Sequence, residues 1–92
     1  MPSEKKIISI QARVLEFYSD SKNENAIPDS VKKLNPLWTN VDENGVLIIF
    51  KQKFVEDYGY YFCKKGVVPS KNRKIWCKTK IKEGIYYYYN PG

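Results

Sequence analysis

The sequence predicts an α+β fold, with one or two N-terminal helices packed on an antiparallel β-meander of four or five strands. Two observations carry this prediction. Apolar residues recur with a helical period before residue 20 and with a period of two after residue 37. Turn-forming residues then divide the second region into short segments. We expect a single domain over residues 1–92, mainly helical in residues 1–36 and forming a sheet in residues 37–92.

The first predicted element is an amphipathic helix over residues 7–18. At about 100° per residue, nearly all of its apolar side chains fall in one half of the helical wheel, with Arg13 and Glu16 opposite. Ser3 is a candidate N-cap for this helix. The β-branched isoleucines of the same segment would also suit a strand. The pattern favours a helix and leaves a strand as the alternative for residues 5–18.

A polar loop and a short helix should follow. The loop is predicted over residues 19–27, because the first seven of these residues include no apolar side chain. Pro28 then suits the first turn of a helix. Asn35 and Pro36 end that helix, since a residue that precedes proline avoids the helical region.

The remaining chain has the punctuation of hairpins. Asn44 and Gly45 form the dipeptide that most readily takes positive φ in a two-residue hairpin turn. The other links between the apolar segments are also short enough to join antiparallel neighbours. Strands are predicted at residues 37–41, 46–54, 58–65, 74–81 and 85–90.

The residue inventory argues against catalysis. The chain has no histidine, which is the usual general base near neutral pH and the commonest zinc ligand. Two cysteines alone cannot close a structural zinc site, and no glycine-rich nucleotide-binding motif occurs. We therefore expect no enzyme, no cofactor and no metal. The carboxylates that could still act lie in predicted turns, where solvent should keep each pKa ordinary: Asp42, Glu43, Glu56, Asp57 and Glu83.

Cellular location is predicted from what the chain lacks. No stretch approaches the roughly 20 apolar residues that cross a bilayer. The apolar residues 7–10 are followed by Gln11 and Arg13, so they do not form the core of a signal peptide. Two cysteines are few for a small secreted domain. We expect a cytoplasmic protein without a membrane partner, and the oligomeric state stays open.

Cys63 and Cys77 are placed symmetrically about residue 70. If the predicted strands at residues 58–65 and 74–81 form a hairpin, the two cysteines lie opposite each other, with Cβ atoms about 4.5–5.5 Å apart. They are then either a redox-sensitive pair or two buried thiols that act as small apolar side chains. The second interpretation is favoured for an intracellular protein.

Positive charge is concentrated in the C-terminal half. Residues 51–92 contain ten Lys or Arg and three Asp or Glu, whereas residues 1–50 contain six and seven. Alternation along the predicted strand 74–81 places Ile75, Cys77 and other core residues on one face. The opposite face is a basic stripe that contains one tryptophan, and the preceding loop extends this stripe. Its residues are Lys71, Arg73, Lys74, Trp76, Lys78, Lys80 and Lys82.

The last strand adds tyrosines to this stripe. A two-residue turn aligns Tyr87 and Tyr89 with the lysines, whereas a three-residue turn aligns Tyr86 and Tyr88. Cations neutralise phosphates and rings stack on bases, so the stripe predicts binding of single-stranded RNA or DNA. The alternative is a protein-interaction module, such as an inhibitor, immunity or accessory protein, that docks on an acidic partner through its Tyr and Trp side chains.

Overall fold

The computed structural model describes residues 1–20 and 28–92, without the side chains of residues 19 and 20. It confirms the α+β fold, because an N-terminal helix lies against an open, five-stranded antiparallel sheet. The elements in chain order are α1 (Glu4–Asp20), α2 (Asp29–Lys32), β1 (Trp38–Val41), β2 (Gly45–Lys53), β3 (Glu56–Cys63), α3 (Lys71–Lys74), β4 (Thr79–Lys82) and β5 (Ile85–Asn90).

The strand order is β1-β2-β3-β5-β4, and every neighbouring pair is antiparallel. The sheet therefore departs from the predicted meander at its last two strands, since β5 lies between β3 and β4. Residues 64–78, which we call the crossover segment, connect β3 to the edge strand β4 and contain α3.

Helix α1 settles the choice between helix and strand for residues 5–18. Ser3 caps it as predicted, since the amide of Lys6 donates to Ser3 Oγ at 3.3 Å. Ile7 and Val14 are buried against the sheet, whereas Ile8, which the helical wheel placed in the apolar half, is partly exposed.

The segment between α1 and β1 follows the prediction in part. Residues 19 and 20 belong to α1 rather than to the predicted loop, and the rest of that loop, residues 21–27, lies outside the described residues. The short helix is confirmed as α2, which begins directly after Pro28 and buries Val31 in the core.

The sheet carries an apolar cluster on each face because successive residues of a strand point to opposite sides. The face that α1 covers is called the helix face, and the face that the crossover segment covers is called the crossover face. On the helix face, β2 and β3 contribute Val46, Ile48, Phe50, Tyr60 and Phe62. On the crossover face they contribute Leu47, Ile49, Tyr61 and Cys63.

The first hairpin lies where the sequence placed it, but its turn is built differently. Neither Asn44 nor Gly45 has a positive φ. Instead, Asp42 Oδ1 accepts hydrogen bonds from the amides of both residues, each at 2.8 Å. Glycine is needed at residue 45 for a different reason, since a Cβ there would lie 2.1 Å from the carbonyl oxygen of Phe62.

The predicted strand at residues 74–81 is wrong over its first half. Residues 71–74 form α3, and pairing with β5 begins only at Thr79. The alternating pattern is overridden because the side chain of Arg73 is anchored on the crossover face, as described below. Ile75, predicted to be core, is 54% exposed, whereas Cys77 is buried as predicted.

Candidate functional site

The predicted basic stripe is not one continuous row. Lys71 and Lys74 lie on α3, and Lys78 precedes β4. Lys80 and Lys82 lie in β4, where Lys80 forms an ion pair with Glu83. All five lysines are exposed.

An aromatic groove of about 500 Å³ opens where β5 extends beyond β4. Strand β4 pairs only with residues 85–87 of β5, and beyond them the amide of Tyr89 donates to the carbonyl oxygen of Trp76 at 3.1 Å. The groove is lined by four aromatic residues, Tyr58, Trp76, Tyr87 and Tyr89, together with Ile75, Lys78, Thr79 and Pro91.

Two of these rings form a fixed pair. Tyr58 and Tyr89 lie opposite each other on β3 and β5, with ring centroids 5.1 Å apart and planes tilted by 40°. Both hydroxyls donate to Glu56 Oε2, at 2.5 and 3.1 Å respectively. These hydrogen bonds lower the pKa of Glu56, raise the pKa of Tyr58 to about 12 and raise the pKa of Tyr89. At neutral pH the phenols therefore stay protonated and the carboxylate stays ionised.

Two ammonium groups lie beside the rings. Lys78 lines the groove directly. Lys51 Nζ is 5.5 Å from the centroid of Tyr58, a cation–π arrangement that brings a second positive charge to the same side. Tyr58, Tyr87 and Tyr89 are half-buried, so a ligand can reach part of each ring.

The four consecutive tyrosines of β5 divide between the two faces. Tyr87 lies opposite Thr79, and Tyr86 lies opposite Lys80, with a register shift before Lys82. Lys80 thus shares a face with Tyr86 and Tyr88, whereas Tyr87 and Tyr89 line the aromatic groove.

Arg73, a predicted nucleic-acid contact, is engaged within the fold. Its Nε donates to Asp42 Oδ2 at 2.6 Å, and its Nη2 donates to Asn40 Oδ1 at 2.8 Å. The guanidinium carbon lies 5.5 Å from the ring centroid of Tyr61, whose hydroxyl donates to Asp42 Oδ1 at 2.8 Å. This network fastens α3 to the first hairpin.

The same network changes the ionisation of Asp42. Burial alone raises the pKa of this carboxyl, but the hydrogen bonds from Arg73, Tyr61 and two turn amides outweigh it and hold the pKa below its usual range. The expectation of ordinary values in turns is therefore wrong for Asp42. It is also wrong for Glu56 and for Glu83, whose pKa is lowered mainly by the hydrogen bond from Lys80.

A second cavity, the polar pocket, lies beside this network on the crossover face. Its volume is about 330 Å³. Trp76 lines both the polar pocket and the aromatic groove, so this residue separates the two cavities. The lining residues of the polar pocket are Asp42, Ser70, Asn72, Arg73, Trp76 and Tyr88.

The register proposed for the two cysteines is wrong, because β3 pairs with β2 and β5 rather than with the segment that contains Cys77. Cys63 and Cys77 nevertheless belong to one apolar cluster on the crossover face, where both are free and buried. Burial raises the pKa of Cys63 and raises that of Cys77 to about 12. These features favour two thiols packed as small apolar side chains.

Sequence reasoning missed Tyr58 and Lys51. Tyr58 reaches the groove because β3 pairs directly with β5, which brings it next to Tyr89. Lys51 lies opposite Tyr58 on β2, and its ammonium group lies over the Tyr58 ring. The aromatic residues of β3 were visible in the sequence. The strand order that unites them with the last strand was not, because a meander would have separated them by β4.

Within residues 1–20 and 28–92, no three side chains of the His, Cys, Asp or Glu types cluster as metal ligands. No helix in the described part of the chain is long and apolar enough to span a bilayer. No protein-family model, curated protein or solved structure matches the chain significantly.

Proposed function

We propose that this protein is a non-catalytic binding protein that holds single-stranded RNA or DNA in the aromatic groove. The observation that best supports the proposal is the juxtaposition of the four groove rings with the ammonium groups of Lys51 and Lys78. Aromatic rings stack on bases of any sequence, and ammonium groups neutralise the phosphates between them.

The shape and the charge of the groove favour a single strand over a duplex. A base can stack on an exposed protein ring only if it is free to leave its own stack. Bases of a single strand are free to do so, whereas the paired bases of a duplex are not. The excess of positive charge in residues 51–92 attracts polyanions to this half of the molecule. The carboxylate of Glu56 is a negative charge beside the groove and opposes this attraction. The hydroxyls of Tyr58 and Tyr89 donate to it, which spreads its charge over a hydrogen-bonded group.

Docking on a partner protein is the second candidate, and one observation favours it. The tip of the β2–β3 hairpin exposes Phe54 and Val55, which are 87% and 69% accessible. Phe54 also adopts a φ of 57°, which is rare for a bulky residue. An apolar tip presented in this way suits insertion into a pocket of a partner protein.

Titration of labelled oligonucleotides at several salt concentrations tests the first proposal. Tyr89→Ala removes a stacking surface and should weaken binding by about 1–3 kcal/mol. Lys78→Ala should weaken binding to all sequences and lower the slope of log affinity against log salt by about 0.7. Lys32→Ala on α2 removes the same charge away from the groove and is the matched control, expected to bind almost as the wild type does.

Two results would contradict the proposal. One is wild-type affinity no better than about 1 mM at low salt, which is too weak for a specific function. The other is equal loss of binding in Lys78→Ala and Lys32→Ala, since that pattern indicates diffuse charge attraction rather than a groove. In either case the protein-docking candidate takes precedence.

A further inference from the structure

The two cavities lie on opposite faces of β5 and meet at Trp76. Tyr88 and Tyr89 are neighbours in the strand, so they point to opposite faces, one toward the polar pocket and the other toward the aromatic groove. The backbone of Trp76 is hydrogen-bonded to β5 at Tyr89, past the end of β4. A ligand strand that leaves one cavity across this edge therefore passes Trp76 before it reaches the other cavity.

The polar pocket has uncommitted hydrogen-bonding groups. Asp42 and Arg73 neutralise each other across its floor. The hydroxyl of Ser70 and the side-chain amide of Asn72 make no hydrogen bond to another described residue. A hydroxyl and an amide beside an aromatic ring can hydrogen-bond the edge of a base that stacks on that ring.

Cations flank both ends of this path. Lys71 and Lys74 are exposed on α3, which also provides Asn72 and Arg73 to the polar pocket. Lys78 lies on the other side of Trp76, in the wall of the aromatic groove. Positive charge at both ends with aromatic surface between them complements a phosphodiester chain whose bases face the protein.

We infer that one nucleic-acid strand crosses the edge of β5 at Trp76, with bases in the aromatic groove on one side and a further base in the polar pocket on the other. The inference rests on the proposed function, because it assigns the polar pocket as a second subsite for the same strand. On this inference, a dinucleotide occupies only the aromatic groove, whereas a longer strand occupies both cavities.

Oligothymidylates of two and eight nucleotides distinguish the two subsites, with affinities measured for the wild type and for two variants. Tyr89→Ala should weaken both oligonucleotides, by about 5- to 150-fold. Asn72→Ala should leave the dinucleotide unchanged and weaken the octanucleotide by about 2- to 10-fold, the effect of one lost hydrogen bond. Asn72 is exposed, so its replacement should not disturb folding, which circular dichroism checks. Lys32→Ala again serves as the control.

The possible failures are separable. If Asn72→Ala binds the octanucleotide as the wild type does while Tyr89→Ala does not, the strand stays out of the polar pocket: the inference is wrong and the proposed function stands. Equal weakening of both oligonucleotides by Asn72→Ala would also overturn it, since the two cavities would then be one subsite. If the wild type binds neither oligonucleotide, the proposed function itself fails and the inference with it.

Discussion

The two faces of the sheet are covered by different kinds of structure. The helix face is closed by α1, a regular element whose apolar residues Ile7, Ile10 and Val14 are buried along one side. The crossover face is closed by residues 64–78, an irregular segment tied down by the Arg73 network. The aromatic groove and the polar pocket both border this segment. The tyrosines of the aromatic groove lie on the helix face, where Tyr87 packs against the apolar cluster, whereas the polar pocket lies on the crossover face. Open ring surface is therefore found where the crossover segment meets the margin of the sheet, whichever cover closes the rest of the face.

The largest expected effect contrasts two phenylalanines. Phe62 is fully buried on the helix face, and Phe54 is 87% exposed at a hairpin tip. Phe62→Ala should lower the free energy of unfolding by about 3–5 kcal/mol, since it removes a buried ring and leaves a cavity. Phe54→Ala should change it by less than about 0.5 kcal/mol. Urea denaturation measures both, and similar losses in the two variants would contradict the packing described for the helix face.

The next effect concerns how the crossover segment is held. The side chains of Asp42 and Arg73 are only 21% and 16% exposed, and their hydrogen bond joins the first hairpin to α3. A double-mutant cycle of Asp42→Ala and Arg73→Ala should give a coupling of about 1.5–3 kcal/mol in unfolding free energy. The exposed pair Lys80 and Glu83 provides the control cycle, expected to couple much more weakly. Equal coupling in the two cycles would mean that Arg73 does not anchor the segment.

The same carboxylate should make stability depend on pH. The pKa of Asp42 is lower in the folded protein than in the unfolded chain, so its contribution is complete above about pH 4 and is lost as the pH falls through the folded value. Urea midpoints of the wild type and of Asp42→Asn, measured from pH 7 to pH 2, should therefore converge at the acidic end. Other carboxylates titrate in both proteins and cancel in the difference. A difference that stays constant with pH would contradict the assigned role.

The smallest expected effect lies in the aromatic groove itself. Glu56→Gln keeps an acceptor for the hydroxyls of Tyr58 and Tyr89 but removes the negative charge beside the rings. On the proposed function, affinity for single-stranded oligonucleotides should rise by less than about tenfold, and the salt slope should change little. Oligonucleotide titration measures the change. Weaker binding in Glu56→Gln would mean that the carboxylate itself contacts the ligand.

The contrast between the two faces also explains which features could be predicted from the sequence. Helix α1 and the first hairpin produce periodic patterns and local turn chemistry, so residues 7–18 and the turn at residues 42–45 were located correctly. The crossover segment produced a misleading pattern. Its alternation of lysines with Ile75 and Cys77 resembles a strand, but the distant partner Asp42 holds Arg73 in a helical turn. A contact between residues 31 positions apart leaves no local signal.

The sequence predicted several residues of the candidate site but not how the fold arranges them. Trp76, Lys78 and two of the four tyrosines of β5 do line one groove, as part of the predicted surface. The other lysines lie elsewhere along α3 and β4, since a row of alternating side chains requires a continuous strand. Tyr58 joins the groove only because β5 lies beside β3. Strand order depends on the whole sheet and cannot be deduced from any one segment.

The most direct test of the proposed binding surface uses the fluorescence of Trp76. The chain has two tryptophans, so Trp38→Phe leaves Trp76 as the only one. Single-stranded oligonucleotide added at low salt should quench this emission in a saturable manner, because bases that stack near the indole shield it and change its environment. Added salt should restore it. Unchanged emission while a labelled oligonucleotide is seen to bind would place the ligand away from Trp76 and contradict the account.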